Sequence, residues 1–180
     1  ERRSGFMRNL STLLLGVLAM VACSSTPSEA AAPRPFGLRF GQSISRSFKA
    51  KYKCEKVASD KFGDVLGCMS APKPVKSHVS VYLLVLNKKG KLAKVIGMQQ
   101  VGSWTDADVN CSYFIRQLKS KYGDPISMSG ERFDWKANGV DIWVSRHRTD
   151  AVARSQITYE HIKLIGEMDK ARAASSISSF

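Results

Sequence analysis

His78-Val79-Ser80-Val81-Tyr82-Leu83-Leu84-Val85-Leu86 is followed by Asn87-Lys88-Lys89-Gly90 and then by Leu92-Ala93-Lys94-Val95-Ile96-Gly97-Met98-Gln99-Gln100-Val101. Two runs rich in β-branched, aromatic and other apolar residues flank a short Asn/Gly-containing break. Such side chains suit a pleated, half-buried surface, and the break supplies turn chemistry, so the stretch predicts an antiparallel hairpin. The apolar density of residues 82–86 further predicts a strand covered on both faces.

On the N-terminal side, residues 52–58 and 64–70 flank Ser59-Asp60-Lys61-Phe62-Gly63, which predicts a second hairpin, ended by Ala71-Pro72-Lys73-Pro74. Before it, Pro35-Phe36-Gly37-Leu38-Arg39-Phe40-Gly41 alternates in polarity and predicts a short strand. Ser43 is placed to cap a short helix over 44–52, with Ile44, Phe48 and Tyr52 on one face.

C-terminal to the opening hairpin comes the clearest helix. Thr105 and Asp108 have the spacing of a capping box, and Ala107, Cys111, Phe114, Ile115, Leu118 and Tyr122 recur at helical intervals. Gly123 and Pro125 end it. A meander follows over 132–136, 140–148 and 154–162, its first turn being Ala137-Asn138-Gly139. In its second strand Ile142 and Val144 alternate with Asp141, Trp143 and Ser145. Residues 163–174 can form a last helix with Leu164, Ile165, Met168 and Ala171 on one face, although Gly166 weakens it. The fold class expected is α+β: a mainly antiparallel sheet built from hairpins and a meander, with one substantial helix packed against it. It occupies a single domain over 36–174, with a tail at 175–180.

Residues 1–35 have a different character. Met7-Arg8-Asn9 makes a short positive start, with residues 1–6 as an upstream extension, and an apolar run from Leu10 to Ala22 follows. That run is shorter than the roughly 20 residues a bilayer span needs and has the length of a signal-peptide core. Met20-Val21-Ala22-Cys23 resembles the lipobox of bacterial lipoproteins, although Met20 stands where that family usually carries Leu. The resemblance implies that Cys23 is lipidated, that the chain is cut before it, and that the membrane is engaged through the lipid. Ser24 and Ser25 lack the Asp that retains such proteins at the inner membrane, which implies the outer membrane, facing the periplasm. Two rivals stand beside this reading. Ser28-Glu29-Ala30 offers an ordinary cleavage site that would release a soluble periplasmic protein, and the apolar run could be retained as an anchor with Cys23 an unmodified thiol. Residues 24–35 are small and proline-containing and suit a flexible linker.

The chain carries a net charge of +13, and loss of Arg2, Arg3, Arg8 and Glu1 with residues 1–22 lowers this to +11. In an exported protein such charge directs attention to an anionic envelope component rather than nucleic acid, unless the cations only solvate the surface. The clusters Lys49/Lys51/Lys53, Lys73/Lys76, Lys88/Lys89/Lys91/Lys94 and Arg146/His147/Arg148 are candidates to converge. Lys49, Lys51, Lys53, Arg146 and Arg148 are the candidate polyanion-binding residues, the two arginines projecting to one side of a strand.

Export also permits disulfides. Cys54 and Cys68 lie symmetrically about residue 61, directly opposite each other in the second hairpin, and are the expected pair. Cys111 is then a buried free thiol; the rival is a bridge from Cys111 to one of the strand cysteines. His78, His147 and His161 are scattered, and no CxxC, GxSxG, HExxH or phosphate-loop pattern occurs. No catalytic residue, metal site or cofactor is therefore assigned. Phe36-Gly37-Leu38-Arg39-Phe40-Gly41 before a short helix, with Lys121-Tyr122-Gly123-Asp124-Pro125 at a later helix end, resembles small exported bacterial envelope domains. That resemblance implies no site residues. The expectation is a non-catalytic envelope lipoprotein that binds another envelope component, with a soluble periplasmic binder or inhibitor of an acidic ligand as the alternative.

Overall fold

In β3 (Val81–Asn87), Tyr82, Leu84 and Leu86 are buried while the intervening residues are half-covered. The computed structural model describes residues 32–148 and 152–177. Cys23 and most of the expected linker lie outside them. β3 pairs with β4 (Leu92–Val101), as its sequence predicts. β1 (Cys54–Asp60) and β2 (Gly63–Cys68) form the second hairpin and extend the sheet beyond β3. After β4 the chain crosses through a long helix and lays down β5 (Ser127–Ser129), β6 (Arg132–Ala137), β7 (Val140–Arg148) and β8 (Ala153–His161). Every pairing is antiparallel, in the order β1-β2-β3-β4-β8-β7-β6-β5. Two four-stranded meanders are thus joined through β4 and β8 at the centre.

Cross-strand register sorts the side chains into two faces. Leu66, Tyr82, Leu84, Val95, Ile157, Ile142, Val144 and Trp135 fall on one, all nearly inaccessible. Each such apolar side chain contributes roughly 1.5–3 kcal/mol on burial. The helix α2 (Trp104–Tyr122) covers this face with Ala107, Cys111, Phe114 and Leu118, and Trp135 donates its indole N–H to the Gly123 carbonyl at 2.9 Å. The short helix α1 (Arg46–Lys51) and the segment around Phe36 complete the cover. A Cβ on Gly97 would come within 2.8 Å of the Phe36 ring, so glycine is what admits that ring to the sheet.

The opposite face is only half covered. α3 (Ile162–Ile177) leaves β8 directly and buries Met168 beside Val65 and Val85, outside the main core cluster. The sheet with α2 is as expected, but a second substantial helix accompanies it. The open remainder of this face explains why β3 alternates between buried and half-buried instead of being sealed on both sides.

Several local expectations are corrected. Pro35–Gly37 is a 3-10 turn rather than part of a strand, with Phe36 at φ 51° and Gly37 at φ 83°. The turn drives Phe36 inward to meet Tyr82 and Tyr159 edge-on, at ring separations of 4.9 and 6.0 Å. Pro33 and Pro35 are already buried, so the packed chain starts before residue 36. Ser45, not Ser43, caps α1, accepting from the Phe48 N–H, because Ser43 is engaged in a bridge with Lys91. The cap of α2 is Ser103 with Asp106, two residues earlier than Thr105 and Asp108. β3 starts at Val81 because 75–79 coil into a turn. The meander turn narrows to Asn138 and Gly139, both at positive φ (44° and 73°), as a two-residue hairpin requires.

A candidate anion-binding surface

The segment Lys73-Pro74-Val75-Lys76 forms a ridge between two hollows. Lys73 and Val75 line the larger, of about 510 Å³, and Pro74 and Lys76 the smaller, of about 380 Å³. Its residues line the two hollows by turns, so one short ridge serves both. Tyr82 fixes it: its hydroxyl accepts the Val75 N–H at 2.9 Å.

α2 supplies the far wall of the larger hollow. Tyr113, Gln117 and Lys121 recur at spacing four beside Phe114, Leu118 and Tyr122, so adjacent helical stripes face the same space. Arg34 and Phe36 close the other side, and Tyr159 of β8 lines it from the sheet. The smaller hollow takes Lys51, Tyr52 and Lys53 from the end of α1 and the turn into β1, with Met69 opposite. Lys53 sits at φ 49°, its carbonyl accepting from the Met69 N–H at 3.4 Å. Only three non-glycine residues among those described have positive φ. Asn138 is at home in its tight turn, while Phe36 and Lys53 each line a hollow. Held backbone strain of this kind concentrates at functional sites.

Arg34, Lys51, Lys53, Lys73, Lys76 and Lys121 border the two hollows, and no carboxylate lines either. None of the six forms an ion pair among the described residues. Lys51 and Lys121 lie over the rings of Tyr52 and Tyr122, at 5.5 and 5.1 Å. The hollows are therefore a band of uncompensated positive charge with aromatic backing.

Of the expected polyanion-binding residues, Lys51 and Lys53 belong to this band. Lys49 is half-buried on α1 and its charge acts on Asp64. Arg146 does not join: its guanidinium bonds Asp108 of α2 and lies 5.3 Å over the Trp104 ring. Arg148 pairs with Ala153 across β7 and β8, and its side chain lies outside the described residues. The Lys73/Lys76 cluster converges with Lys51 and Lys53, whereas Lys94 pairs with Glu160 at 2.8 Å. Arg34, Lys121, Phe36 and Tyr159 escaped sequence reasoning because they come from separate segments. The proline bracketing of Arg34 was the only signal that this residue is held.

The remaining candidates are structural. Cys54 and Cys68 stand opposite in register, 4.0 Å apart at Cα, and are bridged. A bulge at Val57 adjusts the register between the two-residue tip and this pair. Cys111 is free and buried, and burial pushes its thiol up to about 11, leaving it neutral and unreactive at physiological pH. His78 stacks on Tyr113 at 3.9 Å and bonds Asn110 at 2.7 Å. His147 meets Ser145 at 3.0 Å, and His161 lies at the start of α3, accepting from the Leu164 N–H at 3.4 Å. Each thus has its own separate partner. Among the described residues no three metal-binding side chains cluster, and no helix is long and apolar enough to cross a membrane. Compared with protein-family models, curated proteins and solved structures, the chain shows no match.

Proposed function

We propose that this chain is a non-catalytic envelope lipoprotein, anchored through Cys23, whose domain binds an acidic, phosphate-bearing envelope component through the cationic band. The observation that carries the reading is the gathering of six cations around two adjoining hollows without a carboxylate among the lining residues. Charges arranged only for solubility would be interspersed with their opposites. The Cys54–Cys68 disulfide supports an oxidising compartment. The lipobox-like Met20-Val21-Ala22-Cys23 supports the anchor. From Cys23 to Ala32 the chain can reach at most about 30 Å. It enters the domain beside Arg34, so a lipid at Cys23 would keep the band close to the membrane surface.

Two measurements test this. Cys23→Ala should move the protein out of the membrane fraction; unchanged fractionation would remove the lipid anchor and leave the apolar run of residues 10–22 as what holds it there. Flotation of the Cys23→Ala protein, which lacks the lipid, with vesicles containing anionic phospholipid should weaken steadily as salt rises, because screening and counterion competition act on charge contacts. A flat salt response would remove the electrostatic binding.

A further inference from the structure

The larger hollow has a chemistry the smaller one lacks. The Tyr159 hydroxyl meets no hydrogen-bond partner among the described residues, although its ring packs against Phe36 and lines the hollow. The residue is half-buried and its hydroxyl is not among the buried side-chain atoms that lack a partner, so solvent reaches it and a ligand can take the place of that water. Burial pushes this phenol well above its ordinary value, so it stays neutral and can donate. Around the mouth stand Arg34, Lys73 and Lys121, three cations with no carboxylate beside them. Phe36, Phe114 and Leu118 supply apolar wall between rim and floor. A volume of about 510 Å³ falls within the range typical of small-molecule sites.

We infer that this hollow binds an organic phosphate monoester, its phosphate held at the Arg34/Lys73/Lys121 rim, its organic body against the Phe36 wall, and an oxygen accepting the Tyr159 hydroxyl proton. This rests on the proposed role of the cationic band and names the chemistry one part of it selects. Three cations fit a group of charge about −1.5 to −2 better than a single carboxylate. The apolar wall distinguishes an ester from inorganic phosphate. The same chemistry is offered by a soluble sugar phosphate and by a phosphomonoester lipid headgroup.

Calorimetric titration of the processed protein in nonionic detergent with glucose 6-phosphate, inorganic phosphate and glucose, beside flotation of the Cys23→Ala protein with phosphatidate-containing vesicles, tests the assignment. Either glucose 6-phosphate binds at least tenfold more tightly than inorganic phosphate or glucose, or phosphatidate vesicles are bound in preference to phosphatidylglycerol vesicles of equal charge. The first result marks a soluble ligand and the second a lipid headgroup; each supports the site. In either case Tyr159→Phe, which keeps the ring, should weaken that binding about tenfold, the effect of one hydrogen bond to a charged group. Lys73→Gln, at an exposed position, should weaken it without altering the melting temperature. The inference is overturned if neither preference is seen, or if Tyr159→Phe binds as the parent does. Salt-sensitive vesicle attachment that survives Tyr159→Phe while the preferences are absent would sink this site alone; loss of all salt-sensitive attachment would sink the band with it.

Discussion

Two groups of cations occupy this molecule, and they are treated in opposite ways. On the open face of the sheet, Lys94 pairs with Glu160 at 2.8 Å, Arg132 with Asp134 at 2.6 Å and Lys136 with Asp141 at 3.6 Å. Beneath the start of α2, Arg146 pairs with Asp108. Lys94 and Arg132 also lie over the Trp143 ring, at 5.0 and 4.3 Å. Around the two hollows, six cations have aromatic neighbours but no carboxylate. Three of the ion pairs tie a strand to a neighbouring strand or helix, and Arg132 with Asp134 lies within β6. The unpaired cations are held around the same two hollows against their mutual repulsion, which adds nothing to folding.

The largest change expected bears on how the unpaired group is held. Lys53 leads directly into Cys54, whose bridge to Cys68 closes a loop of sequence separation 14. Replacing both cysteines by serine should cost about 3 kcal/mol of stability in urea unfolding. It should also loosen the Lys53–Met69 side of the smaller hollow. A double variant with parent stability would mean that the sheet alone holds that wall.

Next comes the contrast itself. Lys51→Gln with Lys73→Gln should weaken attachment to anionic vesicles about thirtyfold, each cation near such a surface contributing roughly 1 kcal/mol. The folded state should change by less than about 0.5 kcal/mol, because these side chains touch no partner that depends on them. Lys94→Gln serves as the control from the paired group, and equal loss of binding there would erase the distinction. Arg146→Ala reverses the pattern. Asp108 would lose its partner at the edge of α2, costing about 1–2 kcal/mol in stability, between the values for exposed and for fully buried pairs. Vesicle binding should hold.

The sequence made the scaffold legible wherever one local rule sufficed. Alternation in 81–87, Asn138-Gly139 between two β-rich runs, and the symmetric placement of Cys54 and Cys68 each name their structure directly. Pro35–Gly37 misled because its polarity alternates like a strand, while Phe36 finds its place only once Gly97 on another strand leaves room. α3 carries Leu164, Ile165, Met168 and Ala171 at helical spacing, but Gly166 lowers its propensity and, of its described side chains, Met168 alone is fully buried. The candidate site was the least legible part. Lys51 and Lys53 stand together in the sequence, but Arg34, Lys73 and Lys121 meet only through the fold. The likeness of Arg146 to a binding residue dissolved once Asp108, 38 positions away, came to face it.

The smallest effect separates the two groups by pH. Asp60 accepts the Phe62 and Gly63 N–H groups at 2.7 and 2.9 Å and lies 3.3 Å from Arg172. The Phe62 N–H first, then Arg172 and the Gly63 N–H, hold its carboxyl below the ordinary carboxylate value. Folding therefore favours the deprotonated form. The stabilisation is complete above the unfolded-state value and is lost as pH falls through the lower folded-state one. Asp64 behaves alike, through the Ser59 hydroxyl and then Lys56. Both carboxylates belong to the β1–β2 hairpin, whereas no carboxylate lines the hollows. Melting temperature should accordingly decline between about pH 5 and pH 2.5, and Asp60→Asn should flatten part of that decline. Binding to an anion that stays fully ionised, such as a sulfated polymer, should hold its strength down to the pH at which the hairpin loosens. If binding weakened earlier, in step with carboxylate protonation while the fold stayed intact, an acidic group would have to be part of the band, and the division between paired and unpaired cations would fail.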